Sequence, residues 1–245
     1  MSTFTNPSRW LVLACVLIGV SALTTIALTG CDTPTGASPD DSAIVADAPG
    51  PGDDPAFSLA IDFDTASPGY AAESFLAAGT MSEPDPGYLD ADAWAITGLS
   101  DGDLSYGDEA SDGDIARGES AGGVSTGGIY SFLVADGNHA LGVQPTAGDF
   151  APGSIALRVP FAGDVPARIT IGYTMYCRND QDRSTNWSLE TSFDGTTWAA
   201  VPLADMATPE IASAEPAWEA TAFAFELVPD GVDPTGADAF HLRWN

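Results

Sequence analysis

The chain of 245 residues contains no lysine. Apart from two His, its cations are seven Arg, against 35 Asp and Glu, and the formal net charge is −28. A surface this poor in cations cannot neutralise phosphates, which is the basis of nucleic-acid binding. Nor can it dock on an anionic lipid surface through basic side chains. Cysteine is scarce as well, with Cys15, Cys31 and Cys177 alone. With two His and no usable Cys pair, a zinc site is not expected. No motif for a bound cofactor occurs, so none is expected either. Sustained apolar spacing of the helical kind is missing, except around the Ala-rich residues 71–78. What is present is a globular composition: 44% of residues are hydrophobic, and six Trp and eleven Phe are available for a core. A disordered acidic chain is poorer in aromatics. The length suits one domain with a tail.

The strongest signal is N-terminal. Residues 10–28 (WLVLACVLIGVSALTTIAL) carry no charge, Arg9 precedes them, and the first acid of the chain is Asp32. A positive start, an apolar stretch and small residues at its end describe a secretory signal. An uncleaved anchor competes with that reading, since nineteen helical residues span about 28 Å, nearly a bilayer core. The segment Leu28-Thr29-Gly30-Cys31 resembles the lipobox of bacterial lipoproteins. That resemblance implies cleavage between Gly30 and Cys31 and lipid attachment to Cys31. On either reading the remainder is tethered to a bacterial membrane in the cell envelope and faces outside the cytoplasm. Asp32, next in the chain, is similar to an inner-membrane retention signal of some enterobacterial lipoproteins.

Cys15 would leave with the signal and Cys31 would be acylated, so the mature domain, with Cys177, has no internal cross-link to make. Cys177 alternates in register with Ile169, Ile171, Tyr173 and Met175. That placement reads as a small apolar core residue rather than a nucleophile, which needs a neighbouring base.

Residues 31–56 hold five Pro, three Gly and six Asp among 26 positions. Such a segment cannot bury enough surface to fold, and as a coil its ends would stand about 25–30 Å apart. It is expected to be a disordered spacer. From residue 57 onward the period is two. Phe57, Leu59, Ile61 and Phe63 alternate with small or polar residues, as do Ile155, Leu157, Val159 and Phe161. So do Trp187, Leu189, Thr191 and Phe193; Phe223, Phe225 and Leu227; and Phe240, Leu242 and Trp244. Turn signals stand between these runs, among them Asp136-Gly137-Asn138, Pro152-Gly153 and Asp194-Gly195, the last read as a tight hairpin. Residues 57–245 are therefore expected to form one all-β domain, a β-sandwich of jelly-roll kind.

Gly118-Glu119-Ser120-Ala121-Gly122-Gly123 matches the G-x-S-x-G pattern of esterases. That chemistry needs an apolar strand, a sharp turn at Ser120 and then a helix. The flanks, DGDIAR before and VSTGGIY after, offer neither, so the glycines are read as loop and close-approach positions. Seven acids between residues 101 and 119 (Asp101, Asp103, Asp108, Glu109, Asp112, Asp114 and Glu119) face one Arg117. Oxygen-rich loops suit calcium, but the EF-hand spacing fails at Tyr106 and Asp112. A solvated acidic loop and a structural calcium site both remain open. Arg178-Asn179-Asp180-Gln181-Asp182-Arg183 is either a self-paired turn or a polar ligand rim. Trp94, Trp187, Trp198, Trp218 and Trp244 could stack on sugar rings, but Trp187 and Trp244 fall on the apolar faces and most of the five are expected in the core.

The segments WAITGLSDGDLSYGD, ARGESAGGVSTGGIYSF, HALGVQPTAGDFAPGSIALRV and YCRNDQDRS resemble a β-sandwich module of secreted multidomain bacterial proteins that has no defined activity. The resemblance covers about residues 57–245. In similar modules an acidic strand follows the Leu-Arg-Trp segment, so here a closing strand near residues 61–63 is expected to be missing. The resulting expectation is a lipid-anchored binding or structural module without enzymatic activity. Its partners are the membrane, through the lipid, and an extracellular glycan or protein, carbohydrate first. The rivals are a hydrolase using Ser120 and a truncated remnant of a larger surface protein.

Overall fold

The computed structural model describes residues 61, 63, 76–83, 85–161, 169–227 and 237–245, and the backbone path of residues 13–17. Gly30, Cys31 and the whole spacer lie outside the described residues. In chain order the strands are β1 (Leu13–Leu17), β2 (Thr80–Met81), β3 (Leu89–Asp90), β4 (Trp94–Thr97), β5 (Glu119–Ser120), β6 (Gly128–Ala135), β7 (Asn138–Gln144) and β8 (Ser154–Pro160). They continue as β9 (Ile169–Asn179), β10 (Asn186–Trp187), β11 (Leu189–Ser192), β12 (Ala199–Ala200), β13 (Met206–Ala207), β14 (Glu219–Leu227) and β15 (Ala239–Trp244). Helical turns among the described residues are two short 3-10 segments, Gly113–Ile115 and Pro202–Ala204. No helix among them is long and apolar enough to cross a membrane. The protein is all-β.

Two large sheets carry the fold. One has six strands in the order β14-β9-β1-β7-β6-β5, and the other five in the order β12-β11-β15-β8-β4. The alternation read in the sequence is their cause. In β15, Phe240, Leu242 and Trp244 share a face, and they register with Val159, Leu157 and Ile155 of β8. Trp94 and Ile96 of β4 extend the same layer beside Leu157 and Ile155. The Trp244 ring meets Tyr173 of β9 edge-on at 5.7 Å, which brings an inner face of each sheet together. The arrangement is consistent with a β-sandwich. Ile61 and Phe63 are both buried, Phe63 with its ring 6.3 Å from that of Trp94.

β6 and β7 are built differently. Nearly every residue of β6 is buried, and residues 140–144 of β7 all are. A strand covered on both faces reads as a continuous apolar run, not as an alternation. Asp136-Gly137 turns one into the other, with Gly137 at a positive φ of 69°. At the start of β6, Gly128 has φ 127°, and a Cβ there would lie 2.3 Å from the Asp114 carbonyl oxygen. No other residue fits that approach.

The hairpin at Asp194-Gly195 is longer than expected. β11 ends at Ser192 and β12 begins at Ala199, so six residues connect them. The Asp194 carboxylate is the reason: its Oδ1 accepts the Thr196 and Thr197 N–H groups at 2.8 and 2.6 Å, replacing ladder bonds with a side-chain cap.

Replacing Trp244 by Ala should lower unfolding stability by about 3–5 kcal/mol. Leu203→Ala, at an 82% exposed position, should change it by no more than about 0.5 kcal/mol. Denaturant midpoints of the two variants check this, and similar midpoints would contradict the described core.

Candidate functional site

The same alternation that buries Phe240, Leu242 and Trp244 turns His241 and Arg243 to the opposite face of the five-stranded sheet. Around them that face gathers rings and planar polar groups. Arg243 stacks on Trp198 with its guanidinium carbon 3.9 Å from the ring centroid. The His241 ring stands edge-on to Trp198 at 6.2 Å and to Tyr106 at 5.7 Å. Tyr106 Oη and His241 Nδ1 share a hydrogen bond of 3.3 Å. Glu190, opposite Arg243 on β11, accepts from Arg243 Nε and Nη2 at 3.0 and 2.5 Å and from Asn245 Nδ2 at 2.9 Å. Arg158 of β8 lies opposite His241 and donates from Nη2 to Asp238 Oδ2 at 3.0 Å. Two of the seven Arg of a lysine-free chain thus sit on one sheet face.

Local structure holds each ring in place. Asp194 caps the turn that leads to Trp198, and Thr197 Oγ1 donates to its Oδ2 at 2.9 Å. Gly195, at φ 66°, lets that turn pass over His241, where a Cβ would lie 3.2 Å from Cε1. The N–H of Thr197, then that of Thr196, holds the Asp194 carboxyl well below the usual carboxylate range, so the cap stays charged. Hydrogen bonds from Arg243 lower the Glu190 carboxyl, against the opposing effect of its partial burial. Burial, then the Arg158 charge, pushes His241 below its ordinary value, and the ring is neutral at pH 7. Burial pushes the Tyr106 phenol up to about 12, so it keeps its proton. The result is a platform of one indole, one phenol and one neutral imidazole, edged by two guanidiniums, two carboxylates and an amide. Trp198, Tyr106, Arg243 and Asn245 each keep part of their surface in solvent.

Ser120 is placed elsewhere and does not meet this face. It ends β5, which pairs parallel with β6, and its Oγ accepts the Gly122 N–H at 3.1 Å. Bends follow where the esterase pattern needs a helix. His139, on β7, bonds to Glu119, the residue before Ser120, at 3.0 Å. Gly122 serves close approach, since a Cβ there would meet Arg178 Cδ at 2.6 Å, whereas Gly118 and Gly123 are loop positions at φ 86° and 73°; Trp218 Nε1 donates to the Ala121 carbonyl at 3.2 Å.

Six of the seven acids between residues 101 and 119 are exposed, as a solvated loop requires. Asp114 departs from that pattern and is 4% exposed. Its carboxylate accepts from the Ser100 hydroxyl at 2.6 Å, from the Asp101 N–H at 3.1 Å and from Arg117 Nη2. Among the described residues no group of three or more His, Cys, Asp or Glu is placed to hold a metal ion. In the 178–183 turn, Arg178 pairs with Asp180 at 3.9 Å and donates to the Pro216 carbonyl at 2.7 Å. Asp182, Arg183 and Ser184 line a cavity of about 590 Å³ with Glu210 and Ile211. Both readings of that segment therefore have a counterpart in the fold. Of the five Trp, 94, 187 and 244 are buried. Trp218 rests on Phe132 at 5.2 Å, and Trp198 lies on the sheet face described above. Tyr106, Glu190 and Arg243 carried no motif in the sequence. The alternation of His241 and Arg243 against Phe240, Leu242 and Trp244 was the available signal.

Comparison of the chain with protein-family models, with curated proteins and with solved structures found no match.

Burial opposes the charge on Asp114, but hydrogen bonds with Ser100 and Asp149, the Arg117 charge and the Asp101 N–H outweigh it and depress the carboxyl below 3.8. A depressed carboxyl stabilises the fold above the unfolded-state value, and that stability is lost as pH falls through the native value. Wild type should therefore lose melting temperature below about pH 4. Asp114→Asn should be less stable at pH 7 and lose less on acidification. Thermal melts from pH 7 to pH 2.5 measure this, and parallel profiles for the two proteins would contradict it.

Proposed function

We propose that the chain is a lipid-anchored extracytoplasmic protein of the bacterial cell envelope that binds carbohydrate on the outer face of its five-stranded sheet, without enzymatic activity. The observation that carries the reading is the Trp198 indole stacked on Arg243, with His241 edge-on to it and Tyr106 edge-on to His241 in turn. Sugar rings present an apolar face of C–H groups and a rim of hydroxyls. The indole suits the first, and the Arg243, Glu190 and Asn245 set suits the second through planar donors and acceptors. Because His241 is neutral and each nearby guanidinium is paired, the face suits an uncharged glycan over an anionic one. A jelly-roll sandwich commonly presents a ligand in this way, a point of fold-level analogy.

The anchor rests on the sequence alone. Gly30 is the last signal residue and Cys31 the lipidated N-terminus, and the 26-residue acidic spacer holds the domain off the membrane. The 29 acids and six Arg beyond that spacer leave the domain at −23, and like-charge repulsion from an anionic leaflet favours the same separation. The membrane reaches the protein through lipid, not through charge.

Trp198→Ala should lose glycan retention by at least tenfold on an array of neutral polysaccharides, since one stacked ring contributes about 1.5 kcal/mol or more. Ser120→Ala should bind as wild type and hydrolyse short esters no differently. Binding unaffected by Trp198→Ala, or ester hydrolysis abolished by Ser120→Ala, would overturn the proposal. Palmitate incorporation should vanish in Cys31→Ala, and labelling that persists would refute the anchor.

A further inference from the structure

β1 lies inside the segment read as a signal, yet it occupies an interior position of the six-stranded sheet. β7 and β9 are joined through it and are both antiparallel to it. Three successive residues have a partner on each side: Cys15 registers with Val143 and Cys177, Val16 with Gly142 and Tyr176, and Leu17 with Leu141 and Met175. β7 and β9 therefore run parallel to each other, about 9.5 Å apart, the width of one missing strand. Cleavage before Cys31 would remove β1 from the mature protein. Two facing rows of backbone N–H and C=O groups would then be left without partners in the middle of a sheet.

We infer that the position between β7 and β9 is a strand-acceptor site, which in the processed protein takes an uncharged apolar strand of a partner polypeptide, antiparallel to both flanks. The inference rests on the proposed removal of the signal at Cys31. The flanks define the chemistry of the occupant. Residues 140–144 of β7 are buried without exception, and Leu141, Val143 and Met175 are apolar. On β9, Met175 is buried and Tyr176 and Cys177 are half-buried, so a charged side chain at the centre of a strand seated there would lose solvent without gaining a partner. The segment that occupies the position, LACVL, has the required character. Backbone bonds to both flanks supply affinity, and the apolar lining supplies selection. The remaining strands already have neighbours: β9 pairs along its length with β14, and β7 with β6. Each half of the sheet is thus held separately while the position is open.

Two full-length forms test this in detergent: processed wild type, and Cys31→Ala, which keeps residues 1–30. The probe is a fluorescent peptide of residues 11–20 with arginines added at its end for solubility. It should bind processed wild type saturably, one to one, and Cys31→Ala at least tenfold more weakly. Diamide should join the peptide's Cys15 to Cys177 of the processed protein. In Cys31→Ala it should give the internal Cys15–Cys177 disulfide, since opposed residues of antiparallel strands lie within disulfide range. A Val16→Asp peptide should not bind. Equal binding to both forms, no binding to processed wild type, or equal binding of the Val16→Asp peptide would overturn the inference. The N-terminal mass of wild type reads the cleavage independently. An uncleaved chain refutes the lipoprotein reading, and absence of the internal disulfide then refutes the strand seat as well.

Discussion

The period of two along β15 is the constraint on which the rest depends. Phe240, Leu242 and Trp244 point toward the other sheet, where Trp244 meets Tyr173 edge-on. His241 and Arg243 must therefore point away, toward Trp198 and Tyr106. A slip of one residue would exchange the two sets and put a guanidinium in the core. β15 is bound on both sides, to β8 and to β11, which fixes the register with ten paired positions. Core packing and the polar–aromatic face are thus two consequences of one strand's placement. The Asp194 cap and the glycine after it add the remaining element, bringing Trp198 back over that strand.

Legibility in the sequence followed the contrast in polarity between the two faces of each strand. Strands with large apolar residues on one face and polar or small ones on the other, such as β8, β11 and β15, alternate and could be read directly, even where both faces are buried. β6 and β7 could not, because apolar or small residues on both of their faces erase alternation and leave the Asp136-Gly137-Asn138 turn as the signal. Short β2, β3, β5 and β13, of two residues each, carry too few positions for a period to appear. The Asp194-Gly195 turn was visible, but its length was set by a side-chain cap that no dipeptide rule contains. The face built on Trp198 was legible in part. Its Trp and His stood out by type, whereas Tyr106 reaches His241 from 135 residues away.

The acidity of the chain and its few cations belong together. Six of the seven acids between residues 101 and 119 are exposed, and the one buried carboxylate there, Asp114, is held by Arg117. Arg243 and Arg158 are likewise paired, with Glu190 and Asp238. Arg in such a chain is spent on planar, bidentate and stacking contacts that a lysine could not make. The cations organise local structure, and the anions clothe the surface. Neither distribution resembles an electrostatic binding surface, which is why the ligand reading rests on stacked rings.

The most direct test of the account is a nitrogen-15 NMR titration of the processed protein with a neutral oligosaccharide that it retains. The side-chain indole N–H of Trp198 and the amides of residues 241–243 should shift together and saturate at one equivalent. The Trp218 indole and the amides of residues 119–123 should stay in place. Shifts confined to residues 182–184 and 210–211, or centred on Ser120, would place the ligand elsewhere and contradict the account.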